Sequence, residues 1–321
     1  MLERTDFVKK QIVFVFACRG DKISFSNDNL VIKDKDGVMK YQVTCYLIFM
    51  VFIVGDTSLT TGIIRRTKKF GFTICLMTQS FKIYSIIGNR MEGNTLLHHR
   101  QYAYSQNDIA RFLVYNKILN QREAINRIRN KTPAYKDGIQ MLDGYIEKLR
   151  AEEMEDSSLL GIEGSAARIY FPLMFSNVKW RGRKPRIKSD FVNATLDIGY
   201  NLLFNLIDSL LQVYGFDVYC GVYHKEFYMR KSLSCDLMEP MRPIIDLQVR
   251  KAINLSQCKE EDFRVYQGQY SLEYKKSASY VRFFLDELLE YKEDIFIYIQ
   301  QYYRCFMKGK DASAYSLFFI K

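Results

Sequence analysis

No apolar run in this chain approaches the ~20 residues that a membrane-spanning helix requires. The longest, Val43–Val54, falls well short. No basic segment leading into a hydrophobic stretch and a cleavage site opens the sequence, so a signal peptide is not expected and a cytoplasmic protein is. The seven cysteines, at 18, 45, 75, 220, 235, 258 and 305, include no CxxC pair. Their spacing excludes a zinc ribbon or redox dithiol and leaves buried free thiols in a reducing compartment. Prolines number only five while aromatic residues reach 15%, which excludes a disordered chain. There is no internal repeat and no low-complexity tract. No Ser-His-Asp or Cys-His arrangement offers a protein nucleophile, and the paired Glu-x-x-His segments of a di-iron bundle are absent.

What is present is positive charge. The 321 residues carry a formal net charge of +11, with 48% hydrophobic and 26% charged residues. The length allows two domains with real cores, and the basic surplus favours a polyanionic partner such as nucleic acid. The surplus is concentrated. Val178–Lys188 holds Lys179, Arg181, Arg183, Lys184, Arg186 and Lys188 around Trp180, without one acid, and Gly182 and Pro185 make it a loop. Arg100–Lys131 is also basic, with Arg111, Arg122 and Arg129 near one azimuth of a helix. A basic run is often no more than a solvated face, but arginine forks also suit phosphate.

Up to about Gly88 the chain reads as strands and turns. Apolar β-branched or aromatic runs at Ile12–Phe16, Leu30–Ile32, Tyr46–Val54, Phe72–Leu76 and Phe81–Ile87 alternate with Arg19-Gly-Asp21 and Lys35-Asp-Gly37 punctuation. The Val43–Val54 run is expected to be a buried central strand, with a buried helix as the competing assignment. A short basic helix with Arg65 and Arg66 is expected within Thr57–Lys69. Beyond the polar stretch Asn89–Thr95, helical spacing predominates, with helices expected at Ala134–Glu153, Leu159–Tyr170, Asp190–Tyr214, Ser232–Asn254, Ser277–Leu289 and Ile295–Met307. The fold class is therefore α+β: a β-rich domain over residues 1–90 and a larger all-helical domain over 91–321.

The chemistry-bearing segment is Gly221–Pro243. It holds His224, one of only three histidines, with Asp236 and Glu239 at i and i+3 of a candidate helix. An imidazole nitrogen with two hard carboxylate oxygens suits a divalent cation of the Mg2+ or Mn2+ type. A third carboxylate, Glu163, sits among Gly161, Gly164, Ser165, Ala166 and Ala167, which leave room for a bulky ligand or a neighbouring helix. Taken singly, each has a plainer reading. Glu163 is an exposed helix residue, His224 a satisfied histidine, Asp236 a helix cap and Glu239 the partner of Arg242. His98 and His99 are adjacent and cannot both face one site.

Together these segments bear a resemblance. Gly161-Ile-Glu-Gly-Ser-Ala-Ala-Arg-Ile-Tyr-Phe171, Asn193-Ala-Thr-Leu-Asp-Ile-Gly-Tyr200 and Ser232-Leu-Ser-Cys-Asp-Leu-Met-Glu-Pro-Met-Arg-Pro243 resemble the signatures of the CRISPR-associated spacer integrase family, CRISPR-associated protein 1. Gly55-Asp-Thr-Ser-Leu-Thr-Thr-Gly62 and Ala314-Tyr-Ser-Leu-Phe318 resemble its N-terminal turn and its tail. The resemblance implies a β-sandwich-like dimerisation domain and a helical catalytic domain. It places the family's catalytic, metal-holding residues on Glu163, His224 and Glu239, with Asp236 at a further acidic position near the metal. Two features depart from the family pattern: the continuously apolar Val43–Val54, and the large residues Lys225, Glu226 and Phe227 after the histidine.

The implied activity is insertion of short DNA fragments into a CRISPR array by transesterification, with a DNA 3′-hydroxyl as nucleophile and Mg2+ or Mn2+ as cofactor. With water as nucleophile the same site would be an endonuclease. Lys179, Arg181, Arg183, Lys184 and Arg186, with Arg65, Arg66 and Arg168, are the expected DNA-backbone contacts. The implied partners are double-stranded DNA (prespacer and repeat), a second copy of the chain within a higher oligomer, and the small companion subunit of the adaptation complex; no membrane is expected. Two alternatives stand beside this reading: a metal-dependent repair nuclease acting on branched DNA, and a non-catalytic nucleic-acid scaffold in which the acids are structural.

Overall fold

The computed structural model describes residues 8–321 apart from 80, 89–90, 92, 130–131, 152–153, 186 and 225–226. The chain divides into two compact units, residues 1–94 with 209–216 and residues 95–208 with 217–321.

The first unit contains two four-stranded sheets. One orders β1 (Gln11–Phe16), β5 (Ile48–Val54), β7 (Thr73–Met77) and β8 (Ile83–Gly88), with β1, β5 and β7 parallel and β8 antiparallel to β7. The other orders β4 (Met39–Thr44), β3 (Asn29–Lys33), β2 (Lys22–Ser26) and the two-residue β6 (Ser58–Leu59). Every residue of β5 is buried, as expected of a parallel strand covered on both faces. The apolar Val43–Val54 run is thus a central strand only from Ile48. Its first residues finish β4 and turn through Cys45–Leu47 into the other sheet. Val13, Val51 and Ile74 from one sheet share a core with Ile23, Leu30 and Ile32 from the other, which gives the sandwich-like arrangement. Helix α1 (Thr61–Phe70) covers this core with Ile63 and ends at Gly71, whose φ of 69° is the left-handed conformation that a C-terminal cap requires.

The second unit is helical. It comprises α2 (Thr95–Ala103), α3 (Asp108–Asn126), α4 (Pro133–Ala151), α5 (Asp156–Met174), α6 (Phe191–Val213, whose last residues belong to the first unit), α7 (Ser232–Met238), α8 (Arg242–Asn254), α9 (Tyr274–Glu290) and α10 (Lys292–Met307). It also holds a hairpin, β9 (Phe263–Tyr266) with β10 (Gln269–Leu272), that helical periodicity did not signal. Ser232–Asn254 is not the single helix expected. Pro240 and Pro243 lack the N–H donors a continuous ladder needs, and Glu239–Met241 forms a 3₁₀ turn between α7 and α8. Because α3 ends at Asn126, Arg129 lies beyond the helix and does not share a face with Arg111 and Arg122.

Helix α3 organises the unit. It packs against α4, α5, α8 and the Glu239–Met241 turn. Ala110, Val114 and Ile118 join Leu142, Ile146, Leu159 and Ala166 in an apolar core. Its other buried face is polar. Asn116 exchanges hydrogen bonds with the backbone of Phe318, at 2.7 and 2.8 Å. Asn120 donates to the carbonyls of Pro240 and Phe318, at 2.7 and 2.9 Å, so one side chain ties α3 to both the turn and the segment after α10. Buried amides of this kind persist because each polar group finds a partner.

Candidate active site

A cleft of about 1140 Å³ lies wholly within the helical unit, and Glu163, His224 and Glu239 all line it. Each arrives from a different element. Glu163 projects from α5, Glu239 from the 3₁₀ turn, and His224 from the loop before α7.

The loop is held by Asp236. Its Oδ2 accepts the backbone N–H groups of Val222 at 2.7 Å and Tyr223 at 3.0 Å, and its Oδ1 accepts that of His224 at 2.9 Å. Oδ1 also lies 2.6 Å from Nδ1 of the His224 ring. Asp236 is fully buried, and these four contacts occupy its carboxylate. It reaches the imidazole rather than Glu239, although the two acids are three residues apart. Close approach of the loop to α7 needs a glycine, because a Cβ at Gly221 would stand 2.7 Å from Ser232 Cβ and 2.8 Å from Asp236 Oδ2. Helix α7 is itself anchored by Asp208, which accepts from Ser234 Oγ at 2.9 Å and pairs with Lys231 at 2.6 Å.

Between Glu163 and Glu239 stands a residue that sequence reasoning missed. The Lys117 ammonium pairs with Oε1 of Glu163 and lies 2.6 Å from Oε2 of Glu239. Only 11% of the Lys117 side chain is exposed. Tyr223 donates its hydroxyl to the other oxygen of Glu163. Arg242 pairs with Oε1 of Glu239 at 2.9 Å. Burial pushes the Glu239 carboxyl upward, but the Arg242 guanidinium and Lys117 ammonium outweigh it and hold the group at about 2. Burial likewise depresses Lys117, and the two carboxylates more than offset it, so its ammonium is held above the ordinary lysine value. Burial and the neighbouring Glu163 raise the Tyr223 phenol, which stays a donor. A lysine within a helix carries no sequence signal for this role; only the fold brings α3 beneath α5 and the turn.

Two carboxylates converge on one cationic position, filled by the Lys117 ammonium. Oε2 of Glu239 is buried and accepts no well-directed hydrogen bond despite its proximity to that ammonium. Hard oxygen donors with a nearby imidazole fit an ion of the magnesium or manganese type. Among the described residues no three His, Cys, Asp or Glu side chains gather within ligating reach of one point, since Lys117 separates the carboxylates and His224 faces Asp236.

The basic residues divide. Arg183 is turned inward, bound to Asp197 at 2.6 Å and Asn193 at 2.9 Å, with 11% of its side chain exposed. Lys179, Arg181 and Lys184 are exposed. Trp180 donates to Asp190 at 3.1 Å and meets Phe171 and Phe175 edge-on, so it staples the loop instead of presenting a stacking face. Arg186 lies outside the described residues, as do Lys225 and Glu226. Arg168 is exposed on α5 at the cleft. Arg65 and Arg66 belong to the first unit, where Arg66 stacks over Phe25 at 3.6 Å. At Gly161 and Gly164 a Cβ would meet nothing within 4 Å, so these glycines face open space and not a neighbouring helix.

Behind the cleft floor, Asp246 accepts the hydroxyls of Tyr170, at 2.8 Å, and Tyr200. Burial raises its carboxyl to about 6, partly offset by those two donors and by Arg242 and Arg183. Among the described residues no helix is long and apolar enough to cross a membrane.

Residues 15–285 match the family described as CRISPR associated protein Cas1. A Rhodospirillum rubrum protein named CRISPR-associated endonuclease Cas1 2 is 30% identical over 268 residues, covering 78% of each chain. Among solved structures, a chain of a Cas6-RT-Cas1–Cas2 complex superposes with a TM-score of 0.78 at 20% identity. The match covers 98% of this chain, which spans only 36% of that longer one. A casposase bound to integration product superposes at 0.72 with 18% identity, covering 97% of this chain and 96% of the other.

Proposed function

The chain belongs to the CRISPR-associated protein Cas1 family, and on that premise we propose that its cleft joins short DNA duplexes into a CRISPR array by metal-assisted transesterification. The convergence of Glu163 and Glu239 on one cationic position, with His224 in the same cleft, carries this reading. Endonuclease activity is the relatives' named property, and a casposase bound to its integration product has the same fold.

Glu163, Glu239 and His224 would hold the ion. When bound, a Mg2+ or Mn2+ ion supplies Lewis-acid stabilisation of charge on the target phosphate and on the departing oxygen. The chain's own residues prepare the rest. Asp236 engages Nδ1 of His224, which directs Nε2 away from Asp236. Arg242 keeps Glu239 ionised and fixes one of its oxygens. Exposed Lys179, Arg181, Lys184 and Arg168 would hold the DNA backbone beside the cleft. The 3′-oxygen of the incoming strand forms the new P–O bond, and the bond from phosphorus to the 3′-oxygen of the target strand breaks. The attacking hydroxyl gives up one proton and the departing oxygen takes one, so the exchange is balanced and no residue is acylated or phosphorylated. Dimerisation through the β-rich unit, and assembly with a Cas2 subunit as in the Cas6-RT-Cas1–Cas2 neighbour, belong to the same proposal.

The test incubates the full chain with a short duplex and a plasmid carrying a repeat, with Mn2+ or Mg2+. Joined products are expected from the wild type. They should disappear with EDTA, with a 3′-dideoxy duplex, and with E163Q, H224A or E239Q, while DNA retention in a mobility-shift assay persists. Cleavage without joining would make the protein a nuclease, and undiminished joining by E163Q would sink the site assignment.

A further inference from the structure

Helix α3 presents two buried polar side chains to the cleft, Lys117 and, one turn on, Gln121. The first neutralises both acids. The second is 3% exposed, and no described group donates to its Oε1. Positions i and i+4 on a helix are neighbours, and the lysine stem is long, flexible and tipped by a rotatable ammonium. A buried amide oxygen without a donor is costly, and an ammonium is the donor that the same face of α3 can deliver.

Resting on the reading of Glu163 and Glu239 as metal ligands, we propose that Lys117 is a displaceable internal cation. It neutralises the two carboxylates in the metal-free protein, and entry of a divalent ion shifts its ammonium onto Oε1 of Gln121. Two cations cannot share the space between Glu163 and Glu239, because their repulsion at contact distance among largely buried side chains is large. A divalent ion takes both carboxylates more strongly than a single charge does, so the lysine is the group that moves. The freed ammonium stays beside the cleft, where a bound phosphate would meet it. The device would keep the two acids neutralised whenever no metal is bound. It also makes α3 part of the site, although it carries no metal ligand.

The test measures Mn2+ affinity of the full chain without DNA by titration calorimetry, together with the thermal unfolding midpoint. K117M removes the competitor, so Mn2+ should bind roughly tenfold more tightly or better. Its midpoint should fall without metal and recover at saturating Mn2+. Q121L removes the receiving oxygen and should weaken Mn2+ binding several-fold, and this weakening should vanish in the K117M/Q121L double variant. A lysine with a purely structural role would lower the midpoint equally with and without metal and would not tighten binding, which overturns the proposal. So does a Q121L effect that persists in the K117M background. If K117M does not fold, Q121L alone decides, and unchanged affinity overturns it. Loss of Mn2+ binding in E163Q and E239Q beside unchanged K117M affinity defeats only this proposal. No Mn2+ binding by the wild type defeats the metal-site reading as well.

Discussion

Nδ1 of His224 lies 2.6 Å from Oδ1 of Asp236, an acid that also receives three consecutive backbone N–H groups from Val222 to His224. The contact explains how a loop-borne imidazole can be as well oriented as one on a helix. A carboxylate behind a histidine sets both its tautomer and its ring plane.

D236A should therefore behave as a positioning variant. We expect Mn2+ affinity to fall about 10–100-fold, the range typical when a group behind a metal ligand is removed. The midpoint should fall too, because three backbone donors lose their acceptor, whereas H224A should keep near-wild-type stability. Equal stability of the two variants, by chemical denaturation, would contradict the anchoring role.

The two perturbed carboxyls predict opposite pH responses. Glu239 titrates near 2 in the folded chain against 4.5 ordinarily, so its contribution is complete above pH 4.5 and is lost as pH falls towards 2. Asp246 titrates near 6 against 3.8, so between these values the folded state binds more proton than the unfolded one, and stability declines as pH rises. Ionising Asp246 should cost up to about 3 kcal/mol by pH 7. D246N should flatten the decline between pH 4 and 6 in urea melts and leave the acid limb unchanged.

Removing the Asn120 amide would take the donor from the buried Pro240 carbonyl and the acceptor from the buried Ile320 N–H, while the Phe318 carbonyl keeps its bond from Asn116. N120A should cost about 2–4 kcal/mol. It should also reduce joining, because the Pro240 carbonyl it holds is one residue from Glu239. Denaturant unfolding and plasmid joining measured on the same preparation check both effects.

The basic loop should separate into two behaviours. K179E, R181E and K184E should change stability by less than about 0.5 kcal/mol, weaken DNA binding and flatten its salt dependence. R183A should instead leave Asp197 without its cation and destabilise the fold by about 3 kcal/mol. An R183A protein of normal stability with a flatter salt slope would return Arg183 to the DNA-contact set.

Local pattern was enough to find much of this protein. Alternating and continuous apolar runs revealed the strands before Gly88, and apolar spacing of three and four residues revealed the long helices, because each element must bury a face at its own period. The acids and the histidine stood out because those residue types, near glycines and a basic loop, have few other uses together. Of the site's side-chain pairings, the sequence offered the local Glu239–Arg242 pair, three residues apart, but not the others. Asp236 and Glu239 share a helix-like spacing, yet Pro240 breaks the helix, and one acid turns to His224 while the other meets Lys117 and Arg242. Arg183 reads as a DNA contact within its loop, and only α6 supplies the Asp197 and Asn193 that bind it. Lys117 and Asn120 look like ordinary helix residues until α3 is placed under α5 and the turn. Sequence by itself determined which elements form and which residues are chemically capable. Tertiary structure decided which charge faces which, because partners separated by tens of residues are chosen by packing, and packing leaves no local period to read.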